Sequence, residues 1–502
     1  MMSLLIHNGR VLNSKTMDLE RADILVQADR IVAVGPHLPV PDDAQKMNAS
    51  DQIILPGLIN AHTHAHNNLL KASADNWTLE DLLNHGAALN GNRTVEDQYV
   101  SAAIGAVEMI KTGCTAAFDM FMSFPSPNDE SIEAIVRAYT DVGLRAVVAP
   151  AVADIVFYRT VPGLLDLMPK DLRQRVESIQ APPTEDLLQM TENGIRRWNG
   201  SANGRIHVGV APTIPGQCTD AFLSGCLRLL REYGVKLHTH LAETKVQALY
   251  GLQRWGKTIV GHLADLGLLG PHFVGGHGVW LTDEDIRRLA DTGSLLAHNP
   301  ASNLKLGSGI APVREMLDRG ITVGLGADGS MSSDNQNLFE AMRFAALVGK
   351  VRFPHRPDHW IGALDAWKMV TSGSATILGM TDDIGSIALG RKADLILLQG
   401  DSVFLRPLNH AVNALVYAES GADVTTVLID GRIVLQNGRV LTVDESRLRS
   451  RAQEGAERVK RQNAEDWAFA ERLTSSISAA CQKTIKTSFP VNRYAVPIES
   501  EP

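Results

Sequence analysis

The chain has 502 residues, 44% of them hydrophobic and 21% charged, with a formal charge of −8 and a pI near 6.1, the make-up of an ordinary globular protein with a large core. With an acidic balance and no long Lys/Arg block, there is no broad attraction for phosphate backbones or anionic lipid, so neither nucleic acid nor a membrane surface is an expected partner. The start lacks a basic stretch leading into a long apolar run, no apolar run reaches 18 residues, and the four cysteines form no C-x-x-C; a cytoplasmic protein without a disulfide framework is expected.

The first 55 residues carry the strand-like runs "LLIHNGRVL" and "ADILVQADRIVAVG", with "NG" and "AD" as tight-turn signals. From about residue 50 to 330 short apolar runs alternate with longer amphipathic segments. Eight such runs begin at Ile53, Cys114, Arg145, Arg205, Val235, Phe273, Gly293 and Ile321, and eight parallel strands with intervening helices suit a (β/α)8 TIM barrel over 56–384. The segment from Asp154 to Asn203 is long for a βα connection and carries Pro162, Pro169, Pro182 and Pro183; it is expected to form a lid. Near the end, "GRKADLILL" and "VTTVLIDGRIVLQNGRV" return to short strands with "DG" and "NG" turns. Residues 1–55 and 385–445 are therefore expected to form one small β-sandwich domain from both chain ends. From about 446 a charged amphipathic helix leads into "FPVNRYAVPIESEP", an extension that either packs across a subunit boundary or frays.

Chemistry gathers where the apolar runs stop. Alternation along a strand points His62 and His64 the same way, and His238 and His240 likewise on the fifth run; His64 and His66 make a third H-x-H pair. His277, His298 and Asp328 close three later runs. Barrel active sites form at such strand ends, and imidazoles with a carboxylate from separate strands suit a first-row divalent ion with a position open for water. His240 is favoured over His238, which lies one inward layer deeper. His207 begins its strand and is read as structural. Glu243, three residues past His240, could fold back to carry a proton, or could cap the helix that "AETKVQALYGL" begins.

The stretches "LPGLINAHTH" (55–64), "HLAE" (240–243), "GGHGVWLTDEDI" (275–286), "AHNPASNLKLGSGIAPV" (297–313), "GLGADGSMSSDNQNLFEAM" (324–342) and "GSIALGRKADLILL" (385–398) together resemble the amidohydrolase superfamily, in the branch of cytosine and guanine deaminases, adenosylhomocysteine deaminases and triazine hydrolases. The resemblance implies one zinc or iron ion held by His62, His64, His240 and Asp328, with Glu243 as proton shuttle, His277 beside the metal-bound water, and Asp328 also accepting a proton. It implies hydrolytic deamination of an aminated N-heterocycle of purine, pyrimidine, pterin or triazine type. The same apparatus would cleave an amide, urea or carbamate, or displace chloride or an alkylamine from a triazine; an inactive scaffold would have no use for the ligand set. Two departures matter. The fourth run, "HVGVAPTIPG", lacks the bridging lysine or glutamate of binuclear relatives, which favours one metal. Thr213 follows Pro212 where adenosylhomocysteine deaminases usually carry a histidine, which lowers the expectation of an adenosyl substrate. Loop residues His66, Asn67, Asn68, Trp77, Gln217 and Asn303 are expected to face a small-molecule substrate or else pack their loops, and a homodimer or homotetramer is the expected assembly.

Overall fold

Two kinds of sheet organise the chain, and the computed structural model describes them over residues 3–39, 41 and 44–495. Strands from both chain ends share one nine-stranded sheet: β1 (Ser3–Leu12), β2 (Leu19–Gln27), β3 (Arg30–Gly35), β4 (Ala44–Asn48) and β5 (Gln52–Pro56), with β15 (Leu395–Gln399), β16 (Val424–Ile429), β17 (Arg432–Gln436) and β18 (Arg439–Val440). The halves join where β15 pairs antiparallel with β5, Ile396 opposite Leu55. Ile6, Ile24, Ile54, Leu395, Leu397 and Leu428 from both halves pack into one apolar cluster. The hairpins turn at Asp430–Gly431 (φ 50° and 70°) and Asn437–Gly438 (φ 49° and 73°), whose paired left-handed residues match strand twist. Asn8–Gly9 departs from expectation. It is a bulge inside β1, where the register with β2 shifts between Ile6 and Gly9 because Asn8 turns left-handed (φ 67°) and donates its N–H to Asp23 Oδ1 at 2.9 Å.

The remaining strands form two parallel sheets. One holds β6 (Leu58–Thr63), β7 (Cys114–Phe121) and β8 (Arg145–Val152), with β9 (Ile206–Val208) and β10 (Ala211–Pro212) both on β8. The other runs β11 (Leu237–Leu241), β12 (Phe273–His277), β13 (Leu295–His298) and β14 (Val323–Leu325). Single parallel bridges link the two at both seams, Thr63 to Asp328 and Val210 to Leu237. Strands β6, β7 and β8 are buried along their whole length, which is why they read as unbroken apolar runs. The fourth run, expected as one strand, is split at Gly209–Val210, where Val210 N–H bonds Lys236 O and Val210 O accepts from His238 N–H, both at 2.9 Å, across the seam. Ile59, Phe118, Val147, Val274 and Leu295 fill the space between the sheets with Ile377 and Met380.

The long connection after β8 divides in two. Its second half is the helix Thr184–Trp198, packed on the helices Asp129–Val142 and Asp220–Tyr233; only 154–183 stands clear of this layer. The C-terminal region is two helices, Glu445–Gln462 and Ala464–Ile485, broken at fully buried Asn463, whose Nδ2 donates to Ala88 O and Gly91 O at 2.9 Å each. Instead of fraying, the following tail packs on its own chain. Phe489 and Tyr494 meet Trp280 edge-on, and Ile310 N–H donates to Arg493 O at 2.8 Å; residues 496–502 of the expected tail lie outside the described residues. Among the described residues no helix is long and apolar enough to cross a membrane.

Candidate active site

The ends of β6, β11, β12 and β14 bring five buried side chains together. One ligand atom each from His62, His64 and His240 lies within 4.8 Å of the others, and the same holds for His62, His277 and Asp328. His64 Nε2 is 3.1 Å from His240 Nε2 and 3.2 Å from Asp328 Oδ1; His62 Nε2 is 3.6 Å from the same oxygen. A carbonyl can only accept, so His64 Nδ1 donates to Met120 O (2.6 Å) and His240 Nδ1 donates to Thr213 O (2.5 Å). In the neutral rings both Nε2 atoms therefore carry lone pairs aimed at each other, an arrangement that requires a proton or a cation between them. His62 Nε2 is buried with no hydrogen-bond partner. An orphaned nitrogen, two opposed lone pairs and a carboxylate form a donor set that fits a divalent first-row ion.

The local backbone is built to permit this convergence. His277 (φ 67°) and Asp328 (φ 62°) adopt left-handed conformations, each costing roughly 1–3 kcal/mol for a non-glycine residue. Gly326 has no room for a side chain, since a Cβ would stand 2.2 Å from Asn299 Oδ1, and Gly276 is tight, since a Cβ there would stand 3.3 Å from the His62 ring. His238 is fully buried one layer deeper, its Nε2 3.2 Å from His62 Nδ1 and its ring edge-on to Phe118. It is thus placed to set the His62 tautomer, while His240 faces the cluster.

Burial opposes the charge on Asp328, but the adjacent His62 and His64 rings outweigh it and hold its pKa well below the usual range. Burial depresses His62 to about 4 and takes His240 and His238 well below the ordinary value. His64 alone is raised: burial disfavours its charge, yet Asp328, Met120 O and Asp119 more than compensate. Glu243 is 2% exposed, and burial, then Asp328, then Glu80 push its pKa well above the carboxylate range. Its Oε1 lies 3.6 Å from His277 Nδ1. His277 donates that proton to Asn303 Oδ1 at 2.8 Å and accepts at Nε2 from Asn299 Nδ2 at 3.3 Å, so its neutral tautomer is fixed.

These groups form the floor of a cavity of about 460 Å³. His66, Asn67 and Gln217 line it. His66 Nδ1 accepts from Met122 N–H at 2.9 Å, and burial, His64 and Arg93 keep the ring neutral, which leaves the proton on Nε2 as a donor. The other expected loop contacts are placed differently. Asn68 is satisfied within the framework, its Nδ2 on Ala65 O and Ser101 O and its Oδ1 on Ser330 Oγ. Trp77 stacks on His85 with centroids 4.2 Å apart and is not among the lining residues. Asn303 holds His277 and does not line the cavity. His298, though it closes a strand, joins neither ligand group and is a buried histidine depressed to about 3 by burial. His207 lies away from the site, bonded to Gly204 O.

Several contributors were not visible from the sequence. Gln336 Nε2 donates to Asp328 O at 2.7 Å while its Oε1 accepts from Thr63 Oγ1 at 2.8 Å, tying the seam beneath the site; the one signal was an unusually polar stretch after Asp328. Asn299 lies within the quoted stretch 297–313 but was not singled out, and the cavity walls from Asp466 and Phe469 carried no signal at all.

Residues 53–434 match the amidohydrolase family. The chain belongs to this family. It is 35% identical over 449 residues to a 5-methylthioadenosine/S-adenosylhomocysteine deaminase of Caldanaerobacter subterraneus subsp. tengcongensis, covering 89% of this chain and 96% of that protein. It is 33% identical over 460 residues to a 5'-deoxyadenosine deaminase of Methanosarcina mazei, covering 91% and 98%. Among solved structures it is similar to a zinc-complexed atrazine chlorohydrolase from Arthrobacter aurescens TC1, with a TM-score of 0.81 and 27% identity over 90% of this chain and 100% of that one. This amidohydrolase thus shares its sequence with deaminases and its architecture with a zinc-complexed hydrolase.

Proposed function

We propose that the chain is a hydrolase that deaminates an aminated N-heterocycle, using one zinc or iron ion held by His62, His64, His240 and Asp328. Such an ion, when bound, supplies a Lewis acid that makes water a competent nucleophile near neutral pH. The observation that carries the reading is Glu243, buried beside His277 and lining the same cavity as His64 and His240 with their opposed lone pairs. Glu243, buried beside His277, is the carboxyl placed to take a proton from the attacking water and return it to the leaving amine. His277, held by Asn299 and Asn303, keeps one orientation toward Glu243 and Asp328. The Nε2–H of His66 and the amide of Gln217 are donors suited to ring nitrogens at the cavity wall.

An adenine-type ring is the first substrate to try, because the relatives above are named for adenosine derivatives. Thr213, which in the sequence lowered the expectation of an adenosyl substrate, does not outweigh relatives named for adenosine derivatives; its backbone carbonyl anchors His240. The reading includes a barrel closed across both seams over about 56–384, a composite small domain from 1–55 and 385–445, and a cytoplasmic homodimer or homotetramer. The likeness to an atrazine chlorohydrolase supports a second reading, displacement of a triazine substituent. The test loads the purified chain with zinc or iron and offers 5'-methylthioadenosine, 5'-deoxyadenosine, aminopyrimidines, pterins, atrazine and an aryl urea. Ammonia release from an aminated ring is expected. Chloride or amine release without ammonia would move the chain to the second reading.

A further inference from the structure

The turn that carries Glu243 is pinned residue by residue, and one of the pins is a second buried acid. Ala242, left-handed at φ 46°, accepts at its carbonyl from Trp280 N–H at 2.8 Å. Glu243 N–H donates to Gln247 Oε1 at 2.9 Å. Thr244 caps the helix Lys245–Trp255 by accepting from Gln247 N–H, and Lys245 Nζ donates to Ile485 O at 2.5 Å. The Thr244 hydroxyl donates its own proton to Glu80 Oε1 at 2.8 Å. Glu80 is 5% exposed, and no cation pairs with it among the described residues. A carboxyl buried in this way costs stability, and such acids gather at working sites. Burial raises its pKa although the Thr244 bond opposes the rise, and its charge adds to burial and to Asp328 in raising that of Glu243.

Glu80 stands on a rigid base. It belongs to the helix Leu79–Asn84, whose start is closed by reciprocal bonds between Thr78 and Asp81. The end of that helix is held by Asn84, with Nδ2 on Ala470 O at 2.9 Å and Oδ1 accepting from the Tyr158 hydroxyl at 3.1 Å. Leu79, Leu82 and Leu83 of the same helix line the cavity. One rigid piece therefore touches the substrate space with its leucines and the turn of Glu243 with its carboxyl.

Resting on the deaminase reading for its catalytic consequence, we propose that Glu80 is a positioning residue, which through Thr244 fixes the turn of Glu243 and ties it to the cavity wall of Leu79, Leu82 and Leu83. A hydroxyl that must keep a lone pair for the helix cap can point its proton several ways, and the acceptor at Glu80 decides which. A carboxyl that serves both the attacking water and the leaving amine works over a narrow range of positions, and a displacement of about 1 Å costs about a hundredfold.

The test breaks the bond from each end. Glu80→Leu removes the acceptor at similar size, Glu80→Gln keeps a carbonyl oxygen for Thr244, and Thr244→Val removes the donor. In the chain as purified, backbone hydrogen exchange over 243–248 should quicken at least about tenfold in Glu80→Leu and return toward the parent in Glu80→Gln. The metal-loaded chain is assayed with 5'-methylthioadenosine, or with the first ring of the panel above that the parent turns over. There Glu80→Leu should lower kcat at least about tenfold with KM within about twofold, while metal content and unfolding midpoint stay with the parent. Glu80→Gln should restore most of the rate. Added to Thr244→Val, Glu80→Leu should lower kcat no further, because the bond is already gone. Unchanged exchange, an unchanged kcat or a further loss on Thr244→Val overturns the proposal. So does a rate that Glu80→Gln fails to restore, which would assign the effect to charge, or a loss of metal, which would place it at the ligand set. If Glu80→Leu does not fold, Glu80→Met, of like length and flexible, takes its place. If the parent releases ammonia from no ring, the deaminase reading fails by itself, and exchange over 243–248 decides whether Glu80 holds the turn.

Discussion

Replacing Glu243 by Gln separates metal holding from proton transfer more cleanly than any other change. The Glu243 side chain is 2% exposed and belongs to neither ligand group, and its Oε1 lies 3.6 Å from Nδ1 of the neutral His277 ring. Glutamine keeps the size and leaves His62, His64, His240 and Asp328 in place, so metal content by elemental analysis should match the parent. Because burial, Asp328 and Glu80 all disfavour a carboxylate at this position, the neutral amide should leave the unfolding midpoint unchanged or raise it. The amide cannot accept the proton, and positioned acid–base groups typically contribute about 10²- to 10⁴-fold. The rate should fall at least about a hundredfold, or about 2.7 kcal/mol of transition-state stabilisation. Steady-state ammonia release at saturating and limiting substrate measures it. A fall of only a few fold would shift the proton role to His277 or Asp328. Loss of metal would make Glu243 part of the ion's support and end the shuttle mechanism.

Other expectations follow from the same geometry. His240→Ala should lose metal and activity together, whereas His238→Ala, which removes a partner of His62 but no lone pair from the cluster, should keep most of its metal; the reverse pattern by elemental analysis would exchange their roles. Chelation should lower both the rate and the unfolding midpoint, and zinc or iron should restore them, because an ion that binds only the folded state stabilises it. Residues 154–183 should gain hydrogen-exchange protection when product is bound, since they cover the cavity; equal protection with and without product would make the segment a fixed wall. Away from the site, Glu419 is pushed up to about 7 by burial and then by its hydrogen bond with Asp423. A raised carboxyl binds its proton more tightly folded than unfolded, so its contribution is complete below the ordinary pKa of about 4.3 and is lost as pH rises toward 7. Denaturant midpoints of Glu419→Gln should therefore gain on the parent across that window, and a pH-independent difference would refute the linkage.

The chemistry was legible in the sequence because it is local. Histidines and an aspartate at the ends of buried apolar runs announce themselves by position, and position along the strand, His238 lying one inward layer deeper, favours His240 as the residue facing the cluster. The hairpins at Asp430–Gly431 and Asn437–Gly438 were equally plain, since two successive left-handed residues are a property of those dipeptides. Asn8–Gly9 carried the same dipeptide and became a bulge, because its surroundings, Asp23 and the neighbouring register, lie on another strand. The loop residues divide for the same reason. Nothing along the chain distinguishes His66, which lines the cavity, from Asn68, whose three hydrogen bonds reach Ala65, Ser101 and Ser330. Asn303 came to hold His277, and Trp77 to stack on His85, through contacts between segments that folding alone brings together. The C-terminal helix is the extreme case: its sequence shows only an amphipathic, charged helix, and Phe469 becomes cavity wall because Asn463 and the apolar face of the helix dock it against residues nearly 400 positions earlier. Periodicity and residue type determine what a segment can become, whereas the partner of a side chain is set by a three-dimensional packing that no local pattern encodes.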